Sequence, residues 1–379
     1  MDFEFNEQQQ MFQESFRAFL EDKYDLPRHA SSMQDRRFDD ILWRQLADLG
    51  LFSMLVPEQF DGLGLTTVDI ALVLEELGKA LIGSPVTDTI VATDLISRYG
   101  TEAQKAKLLP RIATGDLRIV TAIAEPESGF GLDHLTTQAV PAGDGWRLQG
   151  CKILVPGTSA ADLVMVAARV GTNGRLGLAL IEPQRPGISV RDHLTLDPTC
   201  PMSQLSFSAV AVRADEWLGS SAACPDGVER LLDAFGMVAA LQMIGIAGKV
   251  LELSVAYAAQ RVQFGKPIGS FQAIKHKCAD MAVAIDAGRS AAYFAAWAVA
   301  EGPAECPKAV SMAKSFCGDA VRMVCNEGIQ IHGGMGFTWE VGLHYYLRRA
   351  KLLEYSYGDA AFHRERVLAA SLSELGLAG

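Results

Sequence analysis

At 379 residues, 49% hydrophobic and 21% charged, the chain has room for two or three domains and a large buried core. A formal net charge of -11 argues against an electrostatic grip on nucleic acid or an anionic membrane surface. Seven cysteines scattered singly, with no Cys-x-x-Cys spacing, argue against a zinc site or a disulfide framework and fit a reducing compartment.

No apolar run approaches the roughly 20 residues that span a bilayer. The start, Met1 to Phe5, is acidic and lacks the basic flank and apolar segment of a signal peptide. The expected location is therefore the cytoplasm.

Residues 1–117 read as a helical domain. Phe12, Phe16, Phe19 and Leu20 recur at helical spacing, as do Ile41, Leu46, Leu49 and Phe52. After a turn at 61–64, Ile70, Leu72, Val73, Leu74 and Leu77 mark a further helix. Thr101 to Gln104 has the form of a capping box, with Pro110 and Gly115 as the closing signals.

From 118 to 225 the texture changes to short β-branched runs at 118–124, 146–155, 163–168, 176–181 and 205–212. Gly and Asp turns such as Gly143-Asp144-Gly145 separate them. This reads as a middle β domain. From 226 to 379 the pattern returns to helix. The run 228–260 is apolar nearly all round, which predicts a buried helix. Further helices follow at 271–300, closed by Gly302-Pro303, and at 307–330, 340–356 and 359–375.

Between the first two of these lies Tyr257 to Phe271, a turn punctuated by Gly265, Pro267 and Gly269. Capping needs do not account for Arg261, Gln263 and Phe264. A guanidinium fork matches pyrophosphate oxygens, and a phenyl face suits a flavin or adenine ring. A surface ion pair over a packed ring is the plainer reading of that trio alone.

Taken together, Gly100-Thr-Glu-Ala-Gln-Lys105, Glu125-Pro126, Gly150-x-Lys152, Arg261 to Gln272, Asp280-Met281 and Gln330 to Phe337 resemble an acyl-CoA dehydrogenase over essentially the whole chain. The resemblance implies a mainly α fold with an inserted β-barrel-like domain and a C-terminal four-helix-type bundle. It implies FAD as cofactor, an acyl-CoA thioester as substrate, α,β-desaturation as the reaction and an electron-transfer flavoprotein as acceptor. In the family each FAD lies between subunits. On that pattern Arg261, Gln263, Phe264, Gln330, Gly333 and Gly334 would hold the pyrophosphate and adenine of a flavin seated next door.

The other half of the pattern is altered. Ala124-Glu125-Pro126, Gly129-Phe130-Gly131 and Leu154-Val155-Pro156 replace the runs that meet the flavin ring in relatives. Pro156 has no N–H to donate. The usual Glu position holds Tyr357, whose phenol is a poor base for an α proton at neutral pH. The alternative base position, on the long helix, holds Phe235, with Gly236 beside it in place of an Arg. Asp359 and Glu354 are weak substitutes, and Asp359 reads better as a helix N-cap. Asp233 is a weak substrate contact.

Glu125 and Glu127 read as a solvated turn. His332, His344 and His363 read as core or surface residues without metal spacing, and Lys275-His276-Lys277 as a solvated face. Three readings follow. The first is a non-catalytic partner that completes the FAD site of a second subunit in a heterotetramer. The second is a self-sufficient homotetramer with Asp359 or Glu354 as base, and the third is a flavin-free assembly protein.

Overall fold

Capping chemistry sets the helix starts in the computed structural model, which describes residues 5–35, 38–302 and 304–377. Pro303 and the acidic start before Phe5 lie outside the described residues. Helix α1 is Glu7–Lys23, α2 Leu26–Gln34 and α3 Asp40–Asp48; Asp25 and Asp39 cap the latter two by accepting backbone N–H bonds. Then come α4 (Thr67–Lys79), α5 (Val86–Tyr99) and α6 (Glu102–Ala113). The expected capping box between Thr101 and Gln104 forms. Pro110, taken as a closing signal, lies inside α6. The helix ends instead where Gly115 turns left-handed, with φ 73°.

The strands are β1 (Ile119–Ala122), β2 (Gln138–Ala142), β3 (Gly145–Pro156), β4 (Leu163–Val170), β5 (Arg175–Ile181), β6 (Ile188–His193) and β7 (Met202–Arg213). They form one sheet in the order β1-β4-β2-β3-β7-β6, with β5 also paired to β4. The remaining elements are α7 (Pro225–Gln260), a hairpin of β8 (Val262–Gln263) and β9 (Lys266–Pro267), α8 (Gln272–Glu301), α9 (Cys306–His332), α10 (Leu343–Tyr355) and α11 (Ala360–Glu374).

These elements gather into two compact units. One comprises residues 24–66 and 83–234, the other 1–23, 67–82 and 235–379. The first unit contains the sheet, whose apolar face buries Val120, Leu148, Val166, Ile181, Leu205, Phe207 and Trp217. Trp43 Nε1 donates to Gly115 O at 2.8 Å, and Gln104 Nε2 donates to Trp217 O at 2.6 Å, so the helices are tied by satisfied polar groups.

In the second unit α9 packs against α8, α10 and α11. Helices α4 and α7 approach at glycines. A Cβ on Gly245 would lie 2.0 Å from Glu75 O, and one on Gly78 would lie 2.5 Å from Gln242 O. Nothing larger fits at this crossing. Two buried carboxylates on α4 are fully paired. Glu75 accepts from Arg289 and Tyr293, and Glu76 from Gln13, Arg17 and Lys79.

The long apolar helix corrects one expectation. By length and hydropathy α7 does reach spanning size, but the apolar window is 94% buried inside the protein, as a core helix is.

Candidate functional site

The stretch from Tyr257 to Phe271 is a β-hairpin rather than a simple turn. Phe264 and Gly265 form its tip with φ 53° and 79°, the left-handed pair that a two-residue hairpin turn requires. Ile268 N donates to Arg261 O at 2.8 Å and closes the loop. Residues 261–267 are all exposed, and Phe264 is 92% accessible. The ring stands edge-on to Phe271, over which Lys266 Nζ sits at 4.4 Å. Gln263 spends one amide N–H on its neighbour's carbonyl.

The second glycine-rich motif begins at the end of α9. Tyr257, one turn before Arg261, stacks on His332 with ring centroids 4.4 Å apart, so the hairpin and the Gly333–Phe337 turn share a root. Gln330, Gly333 and Gly334 are exposed, and a Cβ on either glycine would meet nothing within 4 Å. Gly333 takes φ 58°, ψ -137°, a backbone open to glycine alone. This side therefore offers a guanidinium, an aromatic face and an unobstructed backbone at one end of the bundle. Those are groups that fit a dinucleotide's pyrophosphate and adenine.

The middle-domain positions fit an isoalloxazine poorly. Leu154 sits in a bulge between β3 and β7 with φ 52° and is half exposed, while Pro156, without an N–H, is buried. Phe130 projects a partly exposed ring. In the same unit Glu125 corrects the sequence reading: it is not on a solvated turn. It is buried, and its carboxylate takes Lys152 Nζ at 2.7 Å, with further donors from Thr136 and Thr137. Burial opposes that charge, yet Lys152 and Thr136 outweigh it and hold the carboxyl down at about 2. Burial pushes Lys152 to about 8 against the pull of Glu125, so both are charged at neutral pH. Gly-x-Lys was the available signal; its partner was not legible.

Tyr357, Phe235, Asp359 and Glu354, at and around the expected base, belong to the second unit, and Asp233 to the first. Tyr357 and Phe235 stack face to face, with centroids 4.4 Å apart and planes 8° from parallel. Asp359 caps α11 by accepting from Phe362 N at 2.9 Å. Glu354 is buried, held by Arg322 and by Lys351 at 2.9 Å. Asp233 is buried on α7. His332, His344 and His363 are all buried, and no group of three or more potential metal ligands occurs among the described residues. Lys275 and His276 are exposed, and Lys277 pairs with Glu327.

Three family models match in succession. The acyl-CoA dehydrogenase N-terminal domain matches residues 6–116, the middle domain 120–210 and the C-terminal domain 228–372. The chain belongs to the acyl-CoA dehydrogenase family. Its fold is that of the family: an N-terminal helical domain, a middle curled sheet and a C-terminal helical domain. Such a chain is an oxidoreductase, and the family supports FAD as its cofactor.

Similar proteins include the probable acyl-CoA dehydrogenase YngJ of Bacillus subtilis, 33% identical over 96% of this chain and 98% of its own. The acyl-CoA dehydrogenase IpdE2 of Mycobacterium tuberculosis is 31% identical over 85% of this chain and 83% of its own. Butyryl-CoA dehydrogenase from Megasphaera elsdenii superposes with a TM-score of 0.90 at 29% identity, covering 98% of this chain and all of that one. The Tcur3481-Tcur3483 steroid ACAD superposes at 0.87 with 31% identity, over 98% and 99% of the two chains.

Proposed function

We propose that this acyl-CoA dehydrogenase is the non-catalytic partner in a heterotetramer and completes the FAD site of a second, base-bearing subunit. The observation that carries the reading is the Phe235–Tyr357 stack. Two aromatic rings lie together at the two positions where the family resemblance expects a carboxylate. A phenol and a phenyl cannot take an α proton at neutral pH.

FAD, when bound, supplies the hydride acceptor. This chain's Arg261, Gln263, Phe264, Gln330, Gly333 and Gly334 hold its diphosphate and adenine from across the subunit boundary. Arg261 offers the oxygens a fork, and Gly333-Gly334 let backbone approach them. In support, the hairpin tip is exposed in its own chain. Apolar Val283 on α8 and Met312 and Phe316 on α9 are also exposed, as a subunit contact needs. Within this reading the functional segments are 1–117, 118–225 and 226–379. The assembly works in the cytoplasm on an acyl-CoA, passing electrons to an electron-transfer flavoprotein. The likeness to the Tcur3481-Tcur3483 steroid ACAD favours a bulky, steroid-type acyl group.

The self-sufficient homotetramer would need Asp359 or Glu354 as base, and both carboxylates are committed to structural partners. The test is purification of the chain alone and with a base-bearing partner, measuring bound flavin and its reduction by acyl-CoA. The expected result is flavin and turnover in the complex only. Full FAD loading and turnover by the lone chain would overturn the proposal, and a colourless complex would favour a flavin-free assembly role.

A further inference from the structure

The turn that carries Tyr357 is built with more restraint than a helix connection requires. Tyr357 has φ 59°, a left-handed conformation that a bulky residue holds only when its surroundings impose it. Gly358 follows at φ 106°, where a Cβ would lie 2.4 Å from Phe362 Cδ1 and 2.7 Å from His363 Nε2.

Three backbone oxygens at the turn, those of Glu354, Tyr357 and Gly358, are taken by buried side chains. Lys314, from α9, donates through Nζ to Glu354 O at 3.0 Å and to Gly358 O at 2.8 Å. His363, from α11, reaches Tyr357 O through Nε2 at 3.0 Å and Ser311 Oγ through Nδ1 at 3.1 Å. A carbonyl can only accept, so the imidazole proton resides on Nε2 and Nδ1 accepts from the serine. Burial, reinforced by the charges of Lys314 and Arg366, pushes His363 down to about 3 and keeps it neutral with that tautomer.

We propose that Lys314 and His363 are positioning residues that lock the Tyr357–Gly358 turn and so hold the Tyr357 ring flat against Phe235, making a fixed aromatic wall where an acid would otherwise stand. The inference deepens the partner-subunit reading and rests on it for its meaning, but its geometry belongs to this chain alone. Lys314 reaches the Glu354 carbonyl in the last turn of α10, where a cation is favoured, and the Gly358 carbonyl beyond it, while His363 fixes the Tyr357 carbonyl from α11. Together they grip both sides of the residue whose side chain forms the wall.

The test uses the full chain labelled with 3-fluorotyrosine and read by fluorine NMR. Of the eight tyrosine lines, that of Tyr357 is the one lost in Tyr357→Phe. Phe235→Leu removes the stacked ring and shifts that line. Lys314→Met and His363→Leu each shift and broaden the same line while the others stay in place. His363→Gln, which keeps an N–H donor, returns it toward the wild-type position. A folded Lys314→Met protein with an unmoved Tyr357 line overturns the proposal, as does a uniform movement of all the lines. If Lys314→Met does not fold, the two His363 variants decide by the same criteria. Flavin content of the lone chain is measured separately. Flavin loading there would sink the partner reading without moving the Tyr357 line.

Discussion

The most consequential single residues are two lysines that the mechanism does not consume. Lys152 neutralises a carboxylate that has no route to solvent. Lys152→Met leaves Glu125 buried and unpaired, and removing one partner of such a pair costs about 3–5 kcal/mol. Denaturant unfolding should show that loss, and Lys152→Met with Glu125→Gln should recover part of it. Lys314 makes a different prediction because it faces carbonyls. Burial pushes it to about 8, against the opposing pull of Cys317, Glu354 and Asp359. The unfolded chain holds that proton up to its ordinary value of about 10.5, so between the two values it binds more protons than the native state. Stability contributed by this group therefore rises with pH from about 8 to 10.5. The difference in unfolding free energy between wild type and Lys314→Met should grow across that window and stay flat between pH 6 and 7.

At the scale of elements, caps and turns divide what was legible from what was not. Asp359 reads as an N-cap from sequence because Asp-Ala-Ala-Phe opens an apolar helix, and it caps α11. Asp359→Ala should cost about 1 kcal/mol in chemical unfolding and leave flavin reduction by the assembled complex unchanged. If it abolished reduction without loss of stability, the aspartate would be a base after all. The long helices were legible because their apolar positions repeat over many turns. Strands β2 and β6 were not: β2 is only five residues long with Pro141 inside it, and β6 is an edge strand with mostly exposed side chains. The hairpin at 262–267 was read only as a turn, because Phe264 in a left-handed conformation breaks the usual Asn-Gly or Asp-Gly signal. Of the candidate site, the motifs could be seen in sequence, whereas the Tyr257–His332 root that joins them and the Lys314 and His363 grip could not. The Tyr257–His332, Lys314–Glu354, Lys314–Gly358 and His363–Ser311 contacts join residues 40 or more positions apart, and the His363–Tyr357 bond depends on a left-handed turn that sequence does not signal.

At the scale of the whole molecule, groups suited to a cofactor and groups unsuited to one lie in different stretches of the chain. At its exposed hairpin and glycine turn it presents groups suited to a dinucleotide, and none of the hairpin residues 261–267 is buried. Its sheet unit has exposed Leu154, buried Pro156 and partly exposed Phe130 where the family resemblance expects polar donors, and rings stand where that resemblance expects an acid. That asymmetry makes stability and cofactor retention separable. Phe264 and Arg261 lie on the surface, so Phe264→Ala and Arg261→Ala should leave the unfolding free energy of the chain within about 0.5 kcal/mol of wild type. On the proposed partner reading, the same changes in the assembled complex remove a stacking face and a charge-assisted fork. A hydrogen bond of that kind contributes about 1.5–3 kcal/mol, so Arg261→Ala alone should weaken FAD retention about tenfold or more. Flavin released on dilution of the complex measures it. Unchanged retention in both variants would mean that the hairpin serves some other contact, and equal losses of stability and flavin would mean that it braces its own chain.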